Sequence, residues 1–219
     1  MTDSLRDHLV YYSEKEEWAN RLTHGAGALF SLIGLVVLIV AASTNGDVWC
    51  VVSVTVFGSL MTAFYVISTL YHTFRAPRLR YLFRILDHAG IYLVIAGTYT
   101  PFTLVSLRGA WGWSLFGTVW GLAIGGVIFK AFMTHRLQIL APVFYIAMGW
   151  IAVIAFKPLL TVLTPAGMGW LLAGGVAYTG GIIFYAWDRI PYNHAIWHLF
   201  VLLGSSCHYF SVLWYVLPQ

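Results

Sequence analysis

Seven stretches of this chain each run for close to the length of a bilayer crossing with almost no charge, and they decide most of what it can fold into. They are Thr23–Ala42, Val48–Leu70, Ile85–Leu107, Trp111–Phe129, Ile139–Phe156, Met168–Trp187 and Ala195–Leu217. At about 1.5 Å of rise per residue, some twenty helical residues cross the ~30 Å hydrocarbon core of a bilayer. Only helices and closed barrels satisfy their backbone there, and the Val- and Thr-rich second stretch lacks the alternation of a strand. Charged residues make up 9% of the chain and hydrophobic ones 60%, with a mean hydropathy of +0.79. A soluble domain carries about 25% charge, so the solvent of this surface is lipid. The expectation is an all-α membrane protein, a bundle of seven transmembrane helices. Residues 1–22 form a short N-terminal segment and 23–217 a single transmembrane domain. The first seventeen residues hold charges of both signs and no apolar core, unlike a cleavable signal peptide. Cys50 and Cys207 lie in separate apolar stretches and read as small buried hydrophobes. No basic run is interleaved with aromatics, which argues against nucleic-acid binding.

The connections carry turn chemistry: Asn45-Gly46-Asp47, Arg108-Gly109, Thr164-Pro165 and Pro191-Tyr192-Asn193. Asn193 is positioned to cap the seventh helix. Pro101 and Pro142 lie inside segments, where they kink helices. Gly121, Gly125, Gly126, Gly174, Gly175, Gly180 and Gly181 suit close helix packing.

Lys and Arg set an orientation. Arg6, Lys15, Arg21, Arg75, Arg78, Arg80, Arg84, Lys130, Arg136 and Arg189 fall on the N-terminal side, against Arg108 and Lys157 on the other. The positive-inside rule puts the N-terminus in the cytoplasm and the C-terminus outside, in the periplasm for a bacterial inner membrane.

That frame brings unusual residues to one depth. Ser68 and His72 end the second segment, Asp87 opens the third, and His194 and His198 open the seventh; Glu17, Asn20 and His24 surround the start of the first. His194 and His198 are spaced i, i+4 and share a helix face, where two imidazoles can hold one metal ion. His72 would supply a third nitrogen. Asp87 would bind directly or hold a metal-bound water, and Ser68, one turn before His72, would bond that water or a substrate oxygen. Three protein ligands and a water is the catalytic arrangement of zinc. Plainer readings stand beside these. A single interfacial histidine is an amphipathic anchor, Asp87 can serve the helix dipole beside Arg84, and Ser68 can simply pack. Ionisable groups at membrane depth are costly and usually functional, which favours the metal. His88 is expected to point away from Asp87, and His8 and His135 fall in loops. His208, ten residues beyond His198, lies about 15 Å deeper, too far for the same ion but able to line a cavity.

Four blocks in this order carry a family resemblance. They are Glu17-Trp18-Ala19-Asn20-Arg21-Leu22-Thr23-His24, then Ser68-Thr69-Leu70-Tyr71-His72, then Leu86-Asp87-His88-Ala89-Gly90 with Gly97-Thr98-Tyr99-Thr100-Pro101, and last His194-Ala195-Ile196-Trp197-His198. Over nearly its whole length the chain resembles the hemolysin III family of bacterial membrane proteins, within the progestin and adiponectin receptor superfamily. The resemblance implies zinc on His72, His194 and His198, with Asp87 in direct or water-mediated contact and Ser68 nearby. It also implies a cytoplasmic N-terminus. Related membrane hydrolases, including alkaline ceramidases, share the Ser, His, Asp and paired-His pattern.

Two functions of different class follow. One is a zinc-dependent hydrolase of amide or ester bonds in a membrane lipid, with Asp87 as general base, Ser68 polarising the carbonyl, and a role in lipid homeostasis. The other is a non-enzymatic regulator or sensor of membrane state with a structural zinc. A channel finds little support beyond His208 and the two prolines, and the seventh segment has no lysine for a retinal Schiff base. Imidazole and carboxylate ligands also suit iron, nickel or copper.

Overall fold

A computed structural model describes residues 9–132 and 140–218. Arg6, His8, His135, Arg136 and Ile139, each used in the sequence reading, lie outside the described residues. Seven helices are long and apolar enough to cross a membrane: α1 Glu14–Asn45, α2 Val48–Thr73, α3 Pro77–Ser106, α4 Ala110–Phe132, α5 Ala141–Val162, α6 Pro165–Ala186 and α7 Asn193–Val216. No strand occurs among the described residues. The protein is an all-helical, seven-span membrane bundle.

Its polarity is arranged for lipid. Along α1 the exposed side chains include Leu29, Ile33, Val36 and Val40, and the opposite face buries Glu17, Asn20, His24, Gly27 and Gly34. A Cβ on Gly27 would meet Tyr65 and Leu202 at 2.8 Å, and one on Gly34 would meet Tyr209 at 2.8 Å. The small residues therefore let α1 sit close against α2 and α7, and polar groups collect inside the bundle rather than outside it.

α1 begins at Glu14, well before the expected Thr23. Ser13 and Glu16 form a capping box: the Glu16 backbone N–H donates to Ser13 Oγ at 3.3 Å, and Ser13 N–H donates to Glu16 Oε2 at 3.0 Å. These bonds satisfy the first turn and let the helix extend below its apolar part. The other Glu16 oxygen accepts from Tyr192 N–H at 3.1 Å, which ties the start of α1 to the start of α7. Tyr192, at φ 58°, holds a left-handed conformation there. The expected Asn193 cap is not formed. Tyr192 takes the capping position without a side-chain bond, and Asn193 Nδ2 donates instead to Phe184 O at 3.3 Å.

Three of the described helices depart from regularity: α3, α5 and α7, which ends in a π-turn over Val212–Val216. After Pro101, α3 loosens into a π-turn over Phe102–Ser106, as expected of a ring that cannot donate to the preceding turn. The break in α5 falls at Trp150–Ala155, a 3₁₀ stretch, and not at Pro142. Tyr99 of α3 fills it: the hydroxyl accepts from Ala152 N–H at 2.8 Å and donates to Gly149 O at 2.6 Å. Of the singled-out glycines, Gly126, Gly174 and Gly181 are pressed against Tyr92, His208 and Phe200, whereas Gly121 and Gly125 face open space.

Candidate metal centre

The end of the bundle that holds the start of α1 also holds the ends of α2 and α4 and the starts of α3 and α7. His72, His194 and His198 meet there. Their ring centroids are 5.0 Å (His72–His194), 5.2 Å (His72–His198) and 4.6 Å (His194–His198) apart. One ligand atom from each lies within 4.8 Å of the others, and all three residues are buried. The cluster can hold a metal ion.

Hydrogen bonds decide which nitrogens face inward. His72 Nδ1 lies 2.8 Å from Glu17 Oε2; the carboxylate only accepts, so Nδ1 carries the proton and Nε2 keeps its lone pair. His198 Nδ1 lies 3.0 Å from Thr23 Oγ1. That hydroxyl spends its own hydrogen on Ala19 O or Asn20 O, at 2.9 and 3.0 Å, so it accepts from Nδ1 and leaves Nε2 of His198 free as well. Nε2 of His72, Nε2 of His198 and both nitrogens of His194 are buried without a hydrogen-bond partner. Buried polar atoms are rarely left so, and three of them converging on one point suit a cation. The residues present fit the group.

Sequence reasoning missed how far α1 builds this centre. Glu17 holds His72 and is itself gripped by Arg80, Thr23 holds His198, and His24 Nδ1 bonds Ser68 Oγ at 2.7 Å while its ring stacks on His198 at 3.4 Å between centroids. The Asn20 amide lies 3.5 Å from His72 Nδ1. Glu17, Asn20 and His24 at i, i+3 and i+7 form one helix face, and the Ser13–Glu16 capping box would have placed them inside the helix. Tyr12, just before α1, lies over the cluster with its ring 4.9 Å from that of His194. Burial pushes its hydroxyl well above the ordinary tyrosine range, with Tyr71, Tyr185 and Glu17 adding to the effect.

Asp87 is buried but is not among the atoms within 4.8 Å of one another. Its electrostatic neighbours are His72, Ser68, Arg84 and Lys130. Ser68 is fully buried beside His24. Asp87 and His194 line the same cavity, about 140 Å³ in volume, which runs along α3, α5, α6 and α7 with largely apolar walls. His88, set aside on sequence, also lines it, and its Nδ1 is 3.5 Å from Asp87 Oδ2 and 2.8 Å from Arg84 O. His208 lines the far part of the cavity, as its depth suggested.

A seven-span membrane protein whose helix ends gather three buried histidines able to bind a metal ion is the class that fold and site define. Within it, the family described as Haemolysin-III related matches residues 12–209, and the chain belongs to that family. It is 52% identical to Hemolysin-3 of Bacillus cereus over 204 residues, covering 93% of each chain. It is 47% identical to the Hemolysin-3 homolog of Bacillus subtilis (strain 168), covering 93% of this chain and 96% of that one. More distantly, it is 28% identical to the Monocyte to macrophage differentiation factor of Homo sapiens, covering 92% of this chain and 84% of that one. No solved structure matches it.

Proposed function

We propose that the protein is a zinc-dependent hydrolase of a lipid amide or ester, embedded in the bacterial inner membrane with its N-terminus in the cytoplasm and acting in membrane lipid homeostasis. The observation that carries this reading is that Asp87 and His194 share one wall of an apolar cavity. A buried carboxylate, a histidine able to bind a metal and an apolar cavity thereby lie together, which supports this reading. His72, His194 and His198 would hold the ion through the nitrogens left without partners. Zinc bound there supplies Lewis acidity and makes a neighbouring water more acidic.

The chain's own residues account for the rest. Standing outside the trio of imidazoles, Asp87 suits contact through a water, and it takes the proton of the water that attacks the carbonyl carbon. When the carbon–nitrogen or carbon–oxygen bond breaks, Asp87 returns that proton to the leaving amine or alkoxide. Ser68, fixed by His24, hydrogen-bonds the Asp87 carboxylate and would turn its hydroxyl to the carbonyl oxygen once Asp87 takes the proton. The apolar wall keeps bulk water away and receives the acyl chain.

Turnover of a ceramide and of a phospholipid by purified, zinc-loaded protein tests this. We expect Asp87→Asn to retain zinc and lose about 10²–10⁴-fold in rate, the usual worth of a general base. Equal turnover by wild type and His194→Ala would remove the hydrolase reading. If His72→Ala unfolds the protein while Asp87→Asn changes nothing, the metal is structural and the protein a non-enzymatic sensor or regulator. The tie between α1, α2 and α7 through Glu17, His72 and His198 is what favours that second reading.

A further inference from the structure

A second cavity of about 70 Å³ continues from the first. The two share Thr98, Tyr99, Gly149, Trp150, Gly175 and His208 in their walls. Nearly every polar group at this junction is already satisfied within the protein. Thr98 Oγ1 donates to Val94 O, the Tyr99 hydroxyl serves the break in α5, and Trp150 Nε1 donates to Thr179 Oγ1. His208 differs. It is more than nine-tenths buried, and its Nδ1 has no hydrogen-bond partner. Across the walls of both cavities, the described buried side-chain atoms left so are those of Asp87 and His194 at one end and Nδ1 of His208 at the other.

The chemistry of that atom is fixed by the other side of the ring. His208 Nε2 lies 3.0 Å from Leu171 O, and a carbonyl only accepts, so Nε2 carries the hydrogen. In the neutral ring Nδ1 is then an acceptor. Gly174 leaves room for the imidazole directly against α6, where any side chain would collide with the ring, so the ring is held in this orientation. An acceptor at the neck of an apolar channel takes a donor. A ketone or ester carbonyl offers none, whereas a hydroxyl does.

We infer that His208 forms a second polar subsite, which takes a hydroxyl carried in the far half of the acyl chain whose head lies at Asp87 and His194. The inference rests on the proposed lipid reading of the cavity. His208 lies ten residues beyond His198 and fourteen beyond His194, about 15–21 Å along the helix, while one acyl chain spans about half of the ~30 Å two-leaflet hydrocarbon core, so the ring meets the far half of the chain. The substrate class is therefore a fatty acyl lipid hydroxylated in the far half of its chain, in place of a plain one.

Displacement of a fluorescent fatty acid from the purified full-length protein in nanodiscs decides it, with stearate, 2-hydroxystearate and 12-hydroxystearate as competitors. The last two carry the same atoms and differ in where the hydroxyl sits. The expected result is that 12-hydroxystearate binds about tenfold more tightly than either of the others, the worth of one buried hydrogen bond. His208→Leu should reduce that ratio to near one while stearate still binds. Equal affinity of all three for wild type overturns the hydroxyl subsite and leaves the lipid reading standing. Binding of none of them overturns both. Should His208→Leu fail to fold, the comparison of hydroxyl positions on the wild type decides by itself.

Discussion

Glu17 stands at the crossing of two networks: one oxygen takes the His72 Nδ1 hydrogen and the other is held by Arg80. A carboxylate behind a metal-binding imidazole fixes the ring and raises its basicity. Glu17→Gln keeps the shape and removes the charge, so metal affinity should fall about 10–100-fold with the helices intact. Chelator competition followed by elemental analysis measures this, and an unchanged affinity would mean that Glu17 serves Arg80 alone. At this scale the sequence revealed the three imidazoles, because i, i+4 spacing and a shared depth are readable along the chain. It did not reveal Thr23 or the partners of Glu17. Those depend on how α1 is rotated against α2 and α7, which pairwise spacing within one segment does not contain. His88 was misread for a related reason: neighbours on a helix diverge by about 100°, yet a wide cavity touches both Asp87 and His88.

Among the elements, α5 depends most on a neighbour. At its 3₁₀ stretch the Tyr99 hydroxyl of α3 bonds both Gly149 O and Ala152 N–H. In lipid such groups cannot turn to solvent. Tyr99→Phe should therefore cost about 1–3 kcal/mol, read as a lowered thermal midpoint in detergent. No change would mean that a trapped water replaces the hydroxyl. All seven spans were legible from hydropathy, since length and apolarity leave no other fold in a bilayer. The break in α5 was not. Pro142 drew attention as a kink by chemistry alone, but the irregularity lies where the Tyr99 hydroxyl bonds it. The early start of α1 was readable from Ser13 and Glu16, but a window that scores hydrophobicity passes over a polar first turn.

For the whole molecule, seven spans put the two termini on opposite faces of the membrane. With the charge bias as proposed, a C-terminal alkaline phosphatase fusion should be active and a C-terminal green fluorescent protein fusion dark, with the reverse for the same fusions placed after α2. The opposite pattern would invert the bundle and move the metal centre to the outer leaflet. The meeting of α1 with α7 has a consequence for biosynthesis. The first span made carries an anchor for a ring that belongs to the last span made, and the Thr23 hydroxyl has no ring hydrogen to accept until His198 arrives. A nascent or clipped product lacking its seventh span owns one imidazole of the three and leaves the cation in solution. On the proposed metal-binding reading, metal capture would certify that the seventh span has been made.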